Sequence, residues 1–218
     1  MGGGLAEGVG DDVARAPRNP ADTIRRIIAA AREEFGVNGL DGTKMEHIAR
    51  RAGVSKQLIY LYFKSKNELY SELLLAIMRE SYDRLLKIDY DGLTPDDAIR
   101  TYIGAIYDWF SSDPVTSKVT FDQTMHGGAQ IRTSPDARRW RAQLTLKLED
   151  ALARGRAAGS FGAHVDAAKL EFMAVIIVSG CVSSRSMFAH LGYTPVEDES
   201  PAFWRNYAVD FIMRALRV

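Results

Sequence analysis

At 218 residues with 46% apolar side chains, the chain can bury one large core or two modest ones, which excludes a disordered polypeptide. A formal net charge of zero excludes a globally basic protein, yet residues 21–66 hold nine Lys/Arg against five Asp/Glu, a local net of +4. Local field, not total charge, steers a polyanion. The single cysteine, Cys181, excludes an internal disulfide and argues against a zinc cluster, in keeping with a reducing compartment.

Residues 1–20 are Gly-rich and polar, with Pro17 and Pro20, and are expected to be disordered. They lack the basic start and apolar core of a signal peptide. The longest charge-free apolar run, Phe172 to Ser184, is too short to span a bilayer, so a cytoplasmic protein without membrane contact is expected. From Ala21 onward the pattern is helical. Ile24, Ile27, Ile28, Ala31 and Phe35 form one apolar stripe, ended by Gly36 and Gly39. Thr43 with Glu46 three residues on predicts a capping box for a second helix. Ile48, Ala49 and Ala52 share a face of that helix, and Gly53 ends it. Val54 fills the angle and Ser55 caps a third helix with Leu58, Ile59 and Phe63 inward, which is the helix-turn-helix arrangement.

A long amphipathic helix runs from Lys66 to about Ile88, and Asp89 to Pro95 breaks it. The second half predicts helices from Asp96 to Phe110, from Pro114 to Met125, from Pro135 to Ala158, from Asp166 to His190 and from Pro201 to Leu216. The helix through Val175-Ile176-Ile177-Val178 has little polar face and is expected to be buried on more than one side. The last helix is rich in aromatics: Phe203, Trp204, Tyr207 and Phe211.

Ile27 to Leu69 resembles the DNA-binding domain of TetR-family transcriptional regulators. The match is carried by Ala29-Ala30, Phe35, Gly39 with Thr43 four residues on, Ile48-Ala49 and Ala52-Gly53-Val54-Ser55. It continues through Leu58 to Phe63 with Tyr60, and Lys66 followed by Leu69. The resemblance implies an all-α homodimer of about nine helices. The implied divisions are a tail (1–20), a helix-turn-helix DNA-binding domain (21–66) and a ligand-binding and dimerisation domain (67–218). It implies a regulator, expected to be a repressor, that binds a palindromic operator and is released by a small molecule when the fourth helix moves. No cofactor is expected.

The resemblance assigns phosphate contacts to Thr43, Tyr60, Tyr62 and Lys66, with Lys44 beside them. Ser55 caps the recognition helix, and Lys56 and Gln57 occupy its exposed first turn, where such helices meet base edges. Many members have Gly where this chain has Gln57. The residue has two readings, a bidentate contact to adenine or a bond to phosphate or water. Both tyrosines carry the alternative of plain packing.

An effector pocket walled by helices five to eight is expected, lined by Trp109, Phe110, Phe121, Met125, Phe172, Met173 and Ile176. His126, Arg132 and Cys181 are its candidate polar handles, and core packing is the competing reading of the apolar set. The effector is expected to be small and largely apolar. No second ligand at helical spacing supports a metal at His126. The last two helices are expected to pair with a second copy as a four-helix bundle. Two rivals remain, a helical enzyme and a helical interaction protein without DNA binding. The four histidines are scattered, Asp122 and His126 form the best acid–base pair at i and i+4, and no nucleophile or phosphate-loop motif occurs. Ser55, Tyr60 and Lys66 argue against the interaction protein.

Overall fold

Asn19 sets the start of the helical chain: its side-chain oxygen accepts the Asp22 N–H at 3.2 Å, and Pro20 follows at the first helical position. The computed structural model describes residues 19–125, 128, 134–192 and 200–217, and among these every regular element is a helix. Helix α1 (Pro20–Gly42) leads into α2 (Met45–Ala52), α3 (Lys56–Tyr62) and α4 (Lys66–Leu85). The second half holds α5 (Pro95–Ser112), α6 (Pro114–Met125), α7 (Pro135–Ala157), α8 (Ala167–Ser183), α9 (Arg185–His190) and α10 (Pro201–Leu216). The continuous helix expected from Asp166 to His190 is interrupted at Ser184, so α8 and α9 together occupy its place. Hydroxyl, Asn or Asp caps stand in front of α1, α3, α4, α5, α7, α8 and α10, each accepting a backbone N–H of the first turn.

Two sequence expectations about the first turn of the motif change. Gly36 does not end α1. A Cβ there would lie 2.6 Å from a Val115 methyl, so the glycine lets α1 and α6 cross closely. The bend comes at Gly39, whose φ of 67° lies in the left-handed region. Thr43 does not cap α2 with its side chain. Its buried hydroxyl donates back to the Gly39 carbonyl at 2.7 Å, closing the end of α1. The capping box is therefore absent: Lys44 is the N-cap residue without a side-chain bond, and Glu46 pairs with Lys56 instead. The turn after α2 follows expectation, with Gly53 at φ 65° and the Val54 N–H returning to Ala49 O at 3.0 Å.

The buried side chains fall into two clusters. One joins Phe35, Ile48, Ile59 and Leu69 of α1 to α4 and reaches across to Trp109 and Val119. The other joins α5, α7, α8 and α10 through Ile99, Ile103, Leu148, Ala174 and Ile212. Helix α4 contributes to both, with Leu69 to Ile77 in the first and Leu85 in the second. Helix α8 is buried in this chain along Leu170, Glu171, Ala174 and Val178, while Phe172, Met173 and Ile176 stand exposed. The expectation of burial on more than one side is thus not met within one subunit. The inward set uses one stripe of the helix, and a residue two positions away lies about 200° round the axis.

The two halves meet where α1 crosses α6 and runs beside α4. Arg32 of α1 donates to Asp113 Oδ2 at 2.5 Å, to Glu80 Oε2 of α4 at 3.0 Å and to Thr116 Oγ1 of α6 at 3.0 Å. Tyr70 of α4, fully buried, stacks edge-on against Phe35 at 4.9 Å and donates its hydroxyl to Asp122 of α6 at 2.5 Å. Burial opposes the charge on Asp113, but hydrogen bonds from Arg32, Thr116 and the Val115 N–H outweigh it and hold the carboxyl below its ordinary value of 3.8. A carboxyl depressed on folding stabilises the fold above its unfolded value, and that contribution disappears as pH falls through the folded value. Asp113→Asn is expected to cost about 1–2 kcal/mol near neutral pH. In urea titrations its difference from the wild type should shrink as pH drops below 3.8; a difference that stays constant would show that the charge on Asp113 is not what holds the joint.

Candidate nucleic-acid interface and interior cavity

Helix α3 is seated by its neighbours rather than by its own length. Ile59, fully buried, anchors it on the first cluster, and Ser55 Oγ accepts the Leu58 N–H at 3.1 Å. Arg26 of α1 donates to Ala52 O at 2.7 Å and to Gly53 O at 3.1 Å, tying the turn between α2 and α3 to α1. Arg51 of α2 bonds Glu34 Oε1 at 2.9 Å and also pairs with Glu33. These two arginines fix α2 and α3 on α1 in one orientation.

With the core side satisfied, α3 presents Gln57, Tyr60 and Leu61 outward at i, i+3 and i+4. Leu61 is 76% exposed and was not singled out from the sequence, although its spacing from Gln57 was the available signal. Lys56 is held by Glu46, and its ammonium lies 5.8 Å from the Tyr60 ring centroid. Tyr62 is half-buried against the first cluster with its ring 6.5 Å from Phe63, so packing accounts for much of it. Lys44 is exposed at the start of α2, where the first N–H groups of a helix carry partial positive charge. Lys66 is engaged inward: its ammonium donates to Asp41 O and Thr43 O, both at 3.2 Å. These bonds occupy two of its three donors and tie the start of α4 to the turn between α1 and α2. The Thr43 hydroxyl, spent on Gly39, is not at the surface.

The second half holds a cavity of about 290 Å³. Leu74, Met78, Tyr82 and Leu85 of α4 form one wall, and Tyr102, Ile106, Trp109 and Phe110 of α5 face them. Helix α6 contributes Thr120 and Gln123, α7 Leu144, and α8 Glu171 and Val175. Trp109 and Phe110 are where the sequence placed them. Phe121, Phe172, Met173 and Ile176 are not on the wall; each is at least 46% exposed. On α6 the inward positions are Val119 and Gln123, which turns Phe121 outward, and on α8 Glu171 and Val175 take the cavity side. The Met125 side chain, His126 and Arg132 lie outside the described residues. Cys181 is half-buried and does not line the cavity, and burial raises its thiol above the ordinary value. The wall supplied by α4 was missed, because its Leu, Met and Tyr stripe is indistinguishable in sequence from core.

On the outer side, Phe172, Met173 and Ile176 of α8 and Phe203, Tyr207 and Phe211 of α10 leave an exposed apolar face on two helices that pack against each other. Among the described residues no helix is long and apolar enough to cross a membrane, and no group of acidic, His and Cys side chains could hold a metal ion.

Residues 27–73 match the family model for bacterial regulatory proteins of the tetR family, and residues 95–212 match the tetracyclin repressor-like C-terminal domain. The HTH-type transcriptional repressor NicS of Pseudomonas putida is 25% identical over 199 residues, covering 90% of this chain and 94% of that protein. The HTH-type transcriptional repressor SCO4008 of Streptomyces coelicolor is 30% identical over 141 residues, covering 64% of this chain and 70% of that protein. Among solved structures, the transcriptional regulator FadR of Bacillus subtilis in complex with stearoyl-CoA superimposes with a TM-score of 0.63 at 20% identity, covering 88% of this chain and 99% of that one. The motif at the N-terminus and the helical second half match as a pair, and the chain belongs to the TetR family of bacterial transcriptional regulators.

Proposed function

We propose that the protein is a homodimeric, ligand-responsive repressor that binds a palindromic operator and leaves it when a small, largely apolar molecule enters the cavity between α4 and α8. The observation that carries this reading is the exposed α3 face of Gln57, Tyr60 and Leu61 in a chain whose fourth helix runs from the reading head to the cavity wall. On this reading α3 lies in the major groove. Gln57 reads a base edge, Leu61 offers an apolar contact to a thymine methyl, and Tyr60 bonds phosphate. Lys44 and the first turn of α2 hold another phosphate, and Lys56 exchanges Glu46 for the DNA backbone. Lys66 positions the head through Asp41 and Thr43. The protein works in the cytoplasm, where the operator is.

Release follows from the shared walls. Helix α4 lines the cavity at Tyr82 and holds the α1–α2 turn at Lys66, while α6 lines it at Thr120 and abuts Gly36 of α1 through Val115. An occupant that shifts α4 against α6 moves α1 and hence the two heads of the dimer. A coupling of about 1–3 kcal/mol is what such a switch requires. The exposed apolar stripes of α8 and α10 are the isologous interface, where two helices from each copy form a four-helix bundle.

Two tests address the two halves of this reading. Fluorescence anisotropy on the DNA upstream of the protein's own gene, at several salt concentrations, is expected to show Lys44→Ala weakening every sequence alike and lowering the salt slope by about one. Gln57→Ala should instead reorder operator variants by about 1–3 kcal/mol at one base pair per half-site; an unchanged ranking would remove the base-reading role. Light scattering after gel filtration should give twice the 24.2 kDa chain mass. Ile176→Glu combined with Tyr207→Glu should give the chain mass itself with helicity retained, and a persistent dimer would place the interface elsewhere.

A further inference from the structure

The cavity wall carries one charge among apolar and aromatic side chains and the uncharged polar Ser81, Thr120 and Gln123. Among the described lining residues there is no lysine, arginine or histidine, and Glu171, 6% exposed, is the one carboxylate. It is held from behind: Arg141 Nε donates to Oε2 at 3.2 Å and the Thr145 hydroxyl donates to Oε1. A carboxylate has about four lone-pair sites, so these two partners leave acceptor capacity toward the cavity. The Arg141 side chain is 55% exposed, and its charge is screened by solvent, whereas that of Glu171 is not.

The phenols on the wall respond to burial first and to this carboxylate second. Tyr82 is pushed up to about 12, first by burial and then by the Glu171 carboxylate, with Arg141 pulling more weakly the other way. Tyr102 is raised as well, first by burial and then by the Glu171 carboxylate, with Tyr82 and Tyr90 adding to it and Arg141 opposing most weakly. The interior therefore combines the Glu171 carboxylate with the rings of Tyr82 and Tyr102, which attract a cation by Coulomb force and through the rings, while the Trp109 ring already carries the Arg84 guanidinium 4.5 Å from its centroid. A carboxylate entering the same space meets the like charge of Glu171, and no lysine, arginine or histidine among the described lining residues offsets it.

We propose that the effector is a small apolar amine, bound as its ammonium form with the nitrogen on Glu171 and its hydrocarbon body against Ile106, Trp109 and Phe110. This rests on the cavity being the effector site, and it replaces a merely apolar ligand by one of defined charge. A volume of about 290 Å³ restricts the body to one or two rings.

Calorimetric titration of the full chain with naphthylmethylamine, naphthylmethanol and naphthoic acid, which share one skeleton, tests the assignment. The amine is expected to bind at least about tenfold more tightly than the alcohol, with the acid weakest. Glu171→Gln should abolish the advantage of the amine over the alcohol. Arg141→Gln, which removes the counter-charge and leaves the carboxylate, should tighten the amine. Equal or better binding of the acid or alcohol, an amine advantage that survives Glu171→Gln, or binding of none of the three overturns the ammonium assignment. Amine binding that follows the expected pattern but leaves DNA affinity unchanged would instead sink the sensor reading while sparing the chemistry of the pocket.

Discussion

Arg32 is bonded at once to the junction before α6, to α6 itself and to α4, and the geometry of the molecule depends on that convergence. Its neighbour along the same helix face is Gly36, where the missing side chain lets Val115 approach α1. Together they make α1 a shared member of both halves: it packs on α2 and thereby orients α3, and it packs on α6 and α4, which wall the cavity. A guanidinium with several donors in a planar fork suits such a node, since one side chain can satisfy acceptors on three elements without moving. Tyr70 repeats the arrangement one layer away, with its ring on Phe35 and its hydroxyl on Asp122.

The reading head gains orientation by spending charge internally. Arg26 caps the carbonyls at the helix-turn-helix corner, Arg51 is committed to Glu33 and Glu34, Lys56 to Glu46, and Lys66 to two carbonyls. The local excess of positive charge is therefore not simply a surface for phosphate. Much of it stiffens this end of the molecule, while Lys44 and the α3 face of Gln57, Tyr60 and Leu61 remain exposed. Exposed ion pairs are worth little individually, but here they join different helices, so what they supply is geometry more than stability.

The second half divides its apolar side chains between two tasks. On α8 the stripe through Leu170, Ala174 and Val178 closes the core with Glu171 and Val175 beside it at the cavity, while Phe172, Met173 and Ile176 face outward next to the aromatic stripe of α10. A helix that is apolar on nearly every side thus serves an interior on one side and an exposed face on the other. The buried charge on Glu171 is tolerated because Arg141 and Thr145 satisfy it from the solvent side.

The sequence alone determined the helical class, nearly all helix starts and the identity of the reading motif. These features are local: caps such as Ser55 and Ser134, the left-handed Gly53, and apolar spacing at three and four residues act within a few positions of themselves. It went wrong where a residue's partner is distant in the chain. Gly36 looked like a stop because nothing local reveals Val115 above it, and Thr43 looked like a cap for α2 because its bond back to α1 depends on the bend at Gly39. The aromatics expected in the pocket divided between cavity and surface, since composition says that a side chain is apolar but only helix packing decides which way it points. The most consequential groups, Arg32 and Glu171, were invisible for the same reason. Their meaning lies in contacts made across some thirty to eighty positions of chain, which only the tertiary structure brings within hydrogen-bonding distance.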